Sequence, residues 1–97
     1  MSYFVTISCQ VNNANPVMQQ QIIQKLQGLG FSNVIKGEKG LSTLPQNTYA
    51  GEFNGESAVK IRDDLSERVT TALKATGASG SLFITVSQSW TWAFRGF

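Results

Sequence analysis

The sequence has no histidine, a single cysteine and few charged residues. Without histidine, His-based catalytic triads, histidine proton shuttles and nearly all zinc sites are excluded. The one cysteine, Cys9, excludes an intramolecular disulfide and fits a reducing compartment. Charged residues make up 14% of the chain, about half the usual share, and no apolar run approaches the length of a membrane span. We therefore expect a cytoplasmic protein without membrane association, metal or cofactor.

The chain is long enough for one domain. Its 97 residues, of which 41% are apolar, provide a modest core that needs no disulfide or metal. We expect a single domain over residues 1–97, with an aromatic strand or tail at 89–97. The formal net charge of +2 neither requires nor excludes an anionic partner.

Hydrophobic periodicity alternates along the chain between a spacing of two residues and a helical spacing, and it predicts six elements. Residues 3–11 alternate between apolar and polar, which indicates a half-buried strand. Asn15 is a favourable helix N-cap, with Pro16 at the first helical position. Asn54 and Ser57 both fit the N-cap of a second helix. The predicted strands are residues 3–11, 31–36, 46–53 and 82–87, the helices follow Asn15 and Asn54–Ser57, and residues 37–45 are predicted to be an irregular loop.

The order β-α-β-β-α-β is typical of the ferredoxin-like α+β fold, a four-stranded antiparallel sheet with both helices on one face. Each predicted helix has one apolar stripe, as helices that cover a single sheet face require. Cys9 belongs to the apolar side of the first strand, so we expect a buried, unreactive thiol. Asp63 and Asp64 are neighbours on a helix and point about 100° apart, which favours a solvated surface over a metal site.

Two segments are candidates for binding nucleic acid. Lys36 and Lys39 lie in or beside the glycine-containing loop, where they can contact a phosphate backbone. Phe4 is predicted on the uncovered sheet face, where its ring can stack a base. The third predicted strand lacks the basic and paired aromatic residues of an RNA-recognition motif, so a domain of that type is not expected.

The carboxyl-terminal segment is rich in aromatic residues. Trp90, Trp92 and Phe94 keep strand alternation, so their rings are expected on one side. Aromatic side chains are typical anchors of interfaces. We expect them to form the contact of a symmetric homodimer beside the edge of the last strand, which has no proline or charge. The alternative is that these rings pack against the core of their own domain.

The middle of the chain resembles a known antitoxin family. The run Phe31-Ser32-Asn33-Val34-Ile35, a glycine-containing loop, and then Leu44-Pro45-Gln46-Asn47-Thr48-Tyr49 is similar to the middle of GhoS. The resemblance covers residues 3 to about 65 in element order and is close over residues 31–53. GhoS is the antitoxin of a type V toxin–antitoxin pair and an endoribonuclease that cleaves the toxin's messenger RNA. The resemblance therefore implies a ferredoxin-like fold, similar to that of CRISPR-associated Cas2 nucleases, and a single-stranded RNA substrate.

The chain departs from the Cas2 pattern at the end of its first strand, and this difference concerns the mechanism of cleavage. Cas2 nucleases have a metal-binding aspartate at the end of the first strand, whereas this chain has Cys9-Gln10-Val11-Asn12. A metal-dependent mechanism is therefore not expected. Cleavage would use the RNA's own 2′-hydroxyl as nucleophile, with cations that stabilise the charge on phosphorus and a carboxylate as base. The available cations are Lys36, Lys39, Arg62 and Arg68, and the available carboxylates are Glu38 and Glu52.

Three functions follow from these observations. The first is an RNA-binding protein or metal-independent endoribonuclease of the antitoxin type, with no catalytic residue assigned. The second is a non-catalytic dimerising module that regulates a protein partner. The third is a small-molecule-binding regulatory domain, for which Asn12-Asn13-Ala14-Asn15 is a poor substitute for a glycine-rich ligand loop.

Overall fold

The computed structural model describes residues 1–97 as a mixed α+β domain with five strands, two helices and two sheets. The elements are β1 (Ser2–Val11), α1 (Pro16–Gly28), β2 (Val34–Gly37), β3 (Gly40–Thr43), β4 (Thr48–Asn54), α2 (Ala58–Ala75) and β5 (Gly80–Ser87). The main sheet is antiparallel, with the strand order β4-β1-β5. A separate hairpin pairs β2 with β3.

The predicted four-stranded sheet is wrong, because the main sheet has three strands. Between α1 and β4, residues 29–44 form backbone hydrogen bonds with the main sheet only at an isolated bridge, in which Ser32 and Ala50 exchange two bonds of 2.9 Å. The chain then pairs locally across a turn at Glu38–Lys39. Gly40 closes this turn with a φ of 112°, which glycine adopts without a steric penalty. Closing a short loop costs little entropy, so the hairpin replaces both the fourth strand and the predicted irregular loop.

The core lies between the main sheet and the two helices. Alternate residues of β1 point towards the helices and are buried, as the periodicity predicts, and Cys9 is among them. The helical stripes contribute Ile22 and Leu26 from α1 and Ile61, Leu65 and Val69 from α2. The two helices therefore cover one face of the sheet and leave the other face open.

Short polar side chains set the starts of both helices. The Asn15 side chain accepts a hydrogen bond of 2.9 Å from the backbone N–H of Met18, and Pro16 follows at the first helical position. Ser57, and not Asn54, caps α2, since its hydroxyl accepts a hydrogen bond of 3.2 Å from the N–H of Lys60. Neither helix is both long enough and apolar enough to cross a membrane.

The last strand ends earlier than the aromatic alternation suggests. β5 stops at Ser87, and residues 88–97, here called the C-terminal tail, have no regular secondary structure. The expected strand at 89–97 is therefore a tail only. Its direction is set by side-chain contacts with the rest of the domain.

Candidate functional site

The C-terminal tail folds back across one end of the open sheet face. The ring of Trp90 stacks on Phe4 of β1, with centroids 5.3 Å apart and an interplanar angle of 20°. Farther along, Trp92 reaches Gly37 at the end of β2, where a β-carbon would lie only 2.9 Å from Cη2 of the indole. The missing side chain at Gly37 is what allows this approach. The tail thereby connects the end of β5 with the β2–β3 hairpin.

A surface groove of about 960 Å³ lies between the hairpin and the tail, and we call it the tail groove. One wall is the hairpin and the other is the tail. The groove therefore depends on the tertiary contact that brings these two segments together. The lining residues are Lys36, Gly37, Glu38, Lys39, Gly40 and Ser42 from the hairpin and Trp90, Thr91, Trp92, Ala93, Phe94 and Arg95 from the tail.

The tail groove holds the whole formal net charge of the chain. Lys36, Lys39 and Arg95 line it together with one carboxylate, that of Glu38, which leaves a charge of +2. The five remaining Lys and Arg residues are matched by five remaining Asp and Glu residues. None of the three groove cations has a carboxylate within 4.0 Å, since every ion pair of the structure involves α2 or the residues just before it.

The structure brings some of the predicted RNA-binding residues together and separates others. Lys36 and Lys39 share the tail groove. Phe4 lies on the open face as predicted, but it is half-buried beneath Trp90 and is not a free stacking surface. Arg62 and Arg68 are exposed on α2, on the helical side of the sheet. Their guanidinium groups pair with Asp63 at 2.9 Å and with Asp64 at 3.2 Å.

The aromatic residues of the tail are only partly covered by these contacts. Trp90, Trp92 and Phe94 are 37%, 38% and 46% exposed. Trp90 packs on Phe4 and Trp92 packs on Gly37, which corresponds to the alternative in which the rings cover their own domain. More than a third of each of the three aromatic residues nevertheless remains exposed to solvent. Arg95 also lines the groove, although it was not among the residues predicted from the sequence to bind RNA. The signal that points to it is a cation placed within an aromatic run, a pattern typical of single-strand binding.

A second polar cluster lies at the other end of β1, inside the domain. The Gln19 amide donates a hydrogen bond of 2.7 Å to the Asn47 side chain and lies 3.4 Å from the Tyr49 hydroxyl. The Cys9 thiol is 3.7 Å from the carbonyl oxygen of Asn47, and burial raises the pKa of this thiol. A raised pKa disfavours the reactive thiolate, so this cluster is a structural feature of the core. The structure contains no group of three side chains placed to hold a metal ion.

Comparison with protein-family models and with curated proteins finds no match for this chain. The similarity of residues 31–53 to GhoS therefore stays a prediction.

The tail groove can hold an anion through three unpaired cations and can stack planar groups on tryptophan.

Proposed function

We propose that the protein binds single-stranded RNA in the tail groove. The observation that carries the proposal is the concentration of the chain's net positive charge beside exposed tryptophans, in a groove that the tail and the hairpin build together.

The cations are suited to the phosphate backbone. Lys36 lies in β2, Lys39 lies in the hairpin turn, and Arg95 lines the same groove from the tail. Because none of the three is engaged in an ion pair, a phosphate does not have to displace a carboxylate to reach them. Contacts of this kind position a nucleic acid and supply affinity without reading its sequence.

The aromatic side chains are suited to unpaired bases. Trp90 and Trp92 are held by Phe4 and Gly37, so the indole rings are oriented before any ligand arrives. Stacking of a base on an aromatic side chain contributes about 1–3 kcal/mol per base and accepts every base. A duplex keeps its bases stacked inside, so this arrangement favours single strands.

Cleavage of the bound strand is the further step that the antitoxin resemblance implies. Glu38 is the carboxylate of the groove and can take the proton of a 2′-hydroxyl as that oxygen attacks the adjacent phosphorus. The bond between phosphorus and the 5′-oxygen of the next nucleotide then breaks, and that oxygen takes a proton from water, which gives one fragment with a 2′,3′-cyclic phosphate and one with a 5′-hydroxyl. The surrounding cations would stabilise the charge that builds on the phosphate oxygens.

The test replaces Lys36 and Lys39 together by alanine. We expect all single-stranded RNA sequences to bind more weakly, and by similar factors, because phosphate contacts are lost. The dependence of log affinity on log salt concentration should become shallower by about 0.7 for each lost contact. Fluorescence anisotropy of labelled RNA at several salt concentrations measures both quantities, and a denaturing gel of the same samples reports cleavage fragments.

The charge-matched control is the double variant Arg62→Ala and Arg68→Ala. It removes the same charge from α2, where both side chains already pair with aspartates, so we expect a much smaller change in affinity and salt dependence. A loss confined to this control would move the binding site to α2. Wild-type protein that binds no RNA at low salt would refute the proposal altogether.

A second candidate function is a dimerising module. Two observations favour it: the aromatic rings of the tail remain partly exposed, and β5 is an eight-residue edge strand without proline or charge. Unpaired edge strands of this kind invite pairing with another chain. We propose a homodimer in which the exposed flanks of Trp90, Trp92 and Phe94 contact the second copy.

A further inference from the structure

The open face of the main sheet presents a second aromatic side chain, outside the tail groove. Phe83 of β5 is 66% exposed. It stands directly opposite Ser8 in the β1–β5 register, so it lies on the same face as Phe4. The ring is not among the residues that pack against the core. Packing of the chain's own core therefore gives no reason for an aromatic residue here.

The surroundings of Phe83 are polar but uncharged. On this face its neighbours along β5 are Ser81 and Thr85, and those on β1 are Thr6, Ser8 and Gln10. The charged residue of the face, Glu52, stands at the other end, opposite Phe4. Hydroxyl and amide groups around an exposed ring suit the hydrogen-bonding edges of a base, whereas phosphate prefers cations.

The open face is continuous with the tail groove. Phe4 pairs with Ser87 and Ser8 pairs with Phe83, which places the two phenylalanines four residues apart along the strands. At about 3.3 Å per residue, that separation is about 13 Å. Trp90 covers Phe4 and also lines the groove, so it joins the two surfaces.

We propose that Phe83 is a second base-stacking subsite, through which the RNA continues from the tail groove onto the open sheet face. This inference rests on the proposed function. The charges divide accordingly, with cations for the backbone in the groove and an uncharged face for the bases. A separation of about 13 Å is about four times the 3.4 Å spacing of stacked bases, so the bases held in the groove and at Phe83 are not neighbours in one stack.

The test compares Phe83→Leu with wild type on two lengths of single-stranded RNA. Leucine keeps an apolar side chain but removes the ring. We expect an RNA of about twelve nucleotides to lose about five-fold or more in affinity, as the removal of one base stack predicts. An RNA of about four nucleotides, which the groove alone can hold, should bind both proteins equally. The conservative variant Phe83→Tyr should retain the affinity of wild type for the longer RNA.

The matched control is Val17→Ala, which trims a side chain of similar exposure, 70%, on the helical side of the molecule. It should leave both affinities unchanged. If wild type binds neither RNA, the proposed function itself fails. If wild type binds both but Phe83→Leu binds the longer RNA equally well, only the second subsite is refuted. A dimer in wild type that becomes a monomer in Phe83→Leu, with unchanged RNA affinity, would assign the ring to self-association and also overturn the inference.

Discussion

At the residue scale, the titratable side chains inside the core are kept in their neutral forms, whereas the charged side chains lie at the surface. Tyr49 is 1% exposed, and its hydroxyl lies 3.4 Å from the Gln19 amide nitrogen. Burial, together with the nearby Cys9 thiol, raises the pKa of Tyr49 to about 12, and the contact with Gln19 opposes part of that rise. Cys9 is affected in the same direction by burial. These side chains are thus kept neutral inside the core, while the charged side chains remain at the surface.

The raised pKa of Tyr49 predicts that the free energy of unfolding decreases at alkaline pH. Below about pH 10, Tyr49 is neutral in both the folded and the unfolded chain. Between there and about pH 12, it ionises in the unfolded chain only, so stability is lost as the pH rises through this window. Tyr49→Phe removes this contribution, and its free energy of unfolding should fall less steeply with pH than that of wild type.

Urea unfolding of both proteins at several alkaline pH values measures the difference. Groups that do not interact with Tyr49 are common to the two chains and cancel in the comparison, whereas the Cys9 thiol interacts with Tyr49 and its change is part of the measured difference. Parallel curves between about pH 10 and 12 would show that Tyr49 titrates alike in the folded and unfolded states.

At the element scale, β1 is the organising strand. It pairs with β4 on one side and β5 on the other, and its inward residues form the centre of the core. The β1–β5 pair begins with Val11 opposite Gly80, at a point where the two backbones come unusually close. A β-carbon at Gly80 would overlap the carbonyl oxygen of Gln10. Backbone atoms cannot rotate away as side chains do, so this pairing depends on glycine.

Gly80→Ala is therefore expected to destabilise the domain. The strands must separate locally to admit the methyl group, which costs about 1–3 kcal/mol by analogy with overpacked cores. Gly28→Ala is the control, because a β-carbon there meets nothing within 4 Å and alanine is the better helix former. The control should be neutral or more stable in chemical denaturation. Equal stability of Gly80→Ala and wild type would mean that the strand ends move apart without cost.

At the scale of the whole molecule, the C-terminal tail connects parts that are distant in sequence. It leaves β5, crosses Phe4 of β1 and reaches the β2–β3 hairpin, which has no strand pairing with the main sheet beyond the isolated Ser32–Ala50 bridge just before β2. The tail therefore contributes to the position of the hairpin. It also supplies Arg95 and one complete wall of the tail groove.

Deletion of residues 88–97 tests the proposed dimer. We expect the full chain to be dimeric at high micromolar concentration, and the chain that ends at Ser87 to be a folded monomer of lower stability. Light scattering with size-exclusion chromatography measures the mass, and circular dichroism verifies the fold. A monomeric full chain would refute the dimer. A dimer that survives the deletion would place the contact elsewhere, most simply on the free edge of β5.

Much of the local structure was predictable from the sequence. The apolar stripes containing Ile22, Leu26 and Leu65 correctly predicted both helices. The alternation of residues 3–11 correctly predicted β1 and the burial of Cys9. Two cations of the candidate site, Lys36 and Lys39, were also predictable, since each precedes a glycine in the sequence. The position of Arg95 beside these lysines could not be predicted, because it depends on a contact across more than fifty residues of chain.

Local patterns were sufficient to predict α1, α2, β1, β4 and β5, because their periodicities and the helix caps act over a few residues, whereas β3 lies in residues predicted to be an irregular loop. The choice between a fourth strand and a separate hairpin depends on tertiary contacts, because both pairings can satisfy the same backbone groups of residues 34–37 and differ in their long-range partners. The tertiary structure also decided the path of the tail. Alternating aromatic residues are compatible with a continued strand or with a tail packed on its own domain, and the stack of Trp90 on Phe4 establishes the second through a contact that no local pattern encodes.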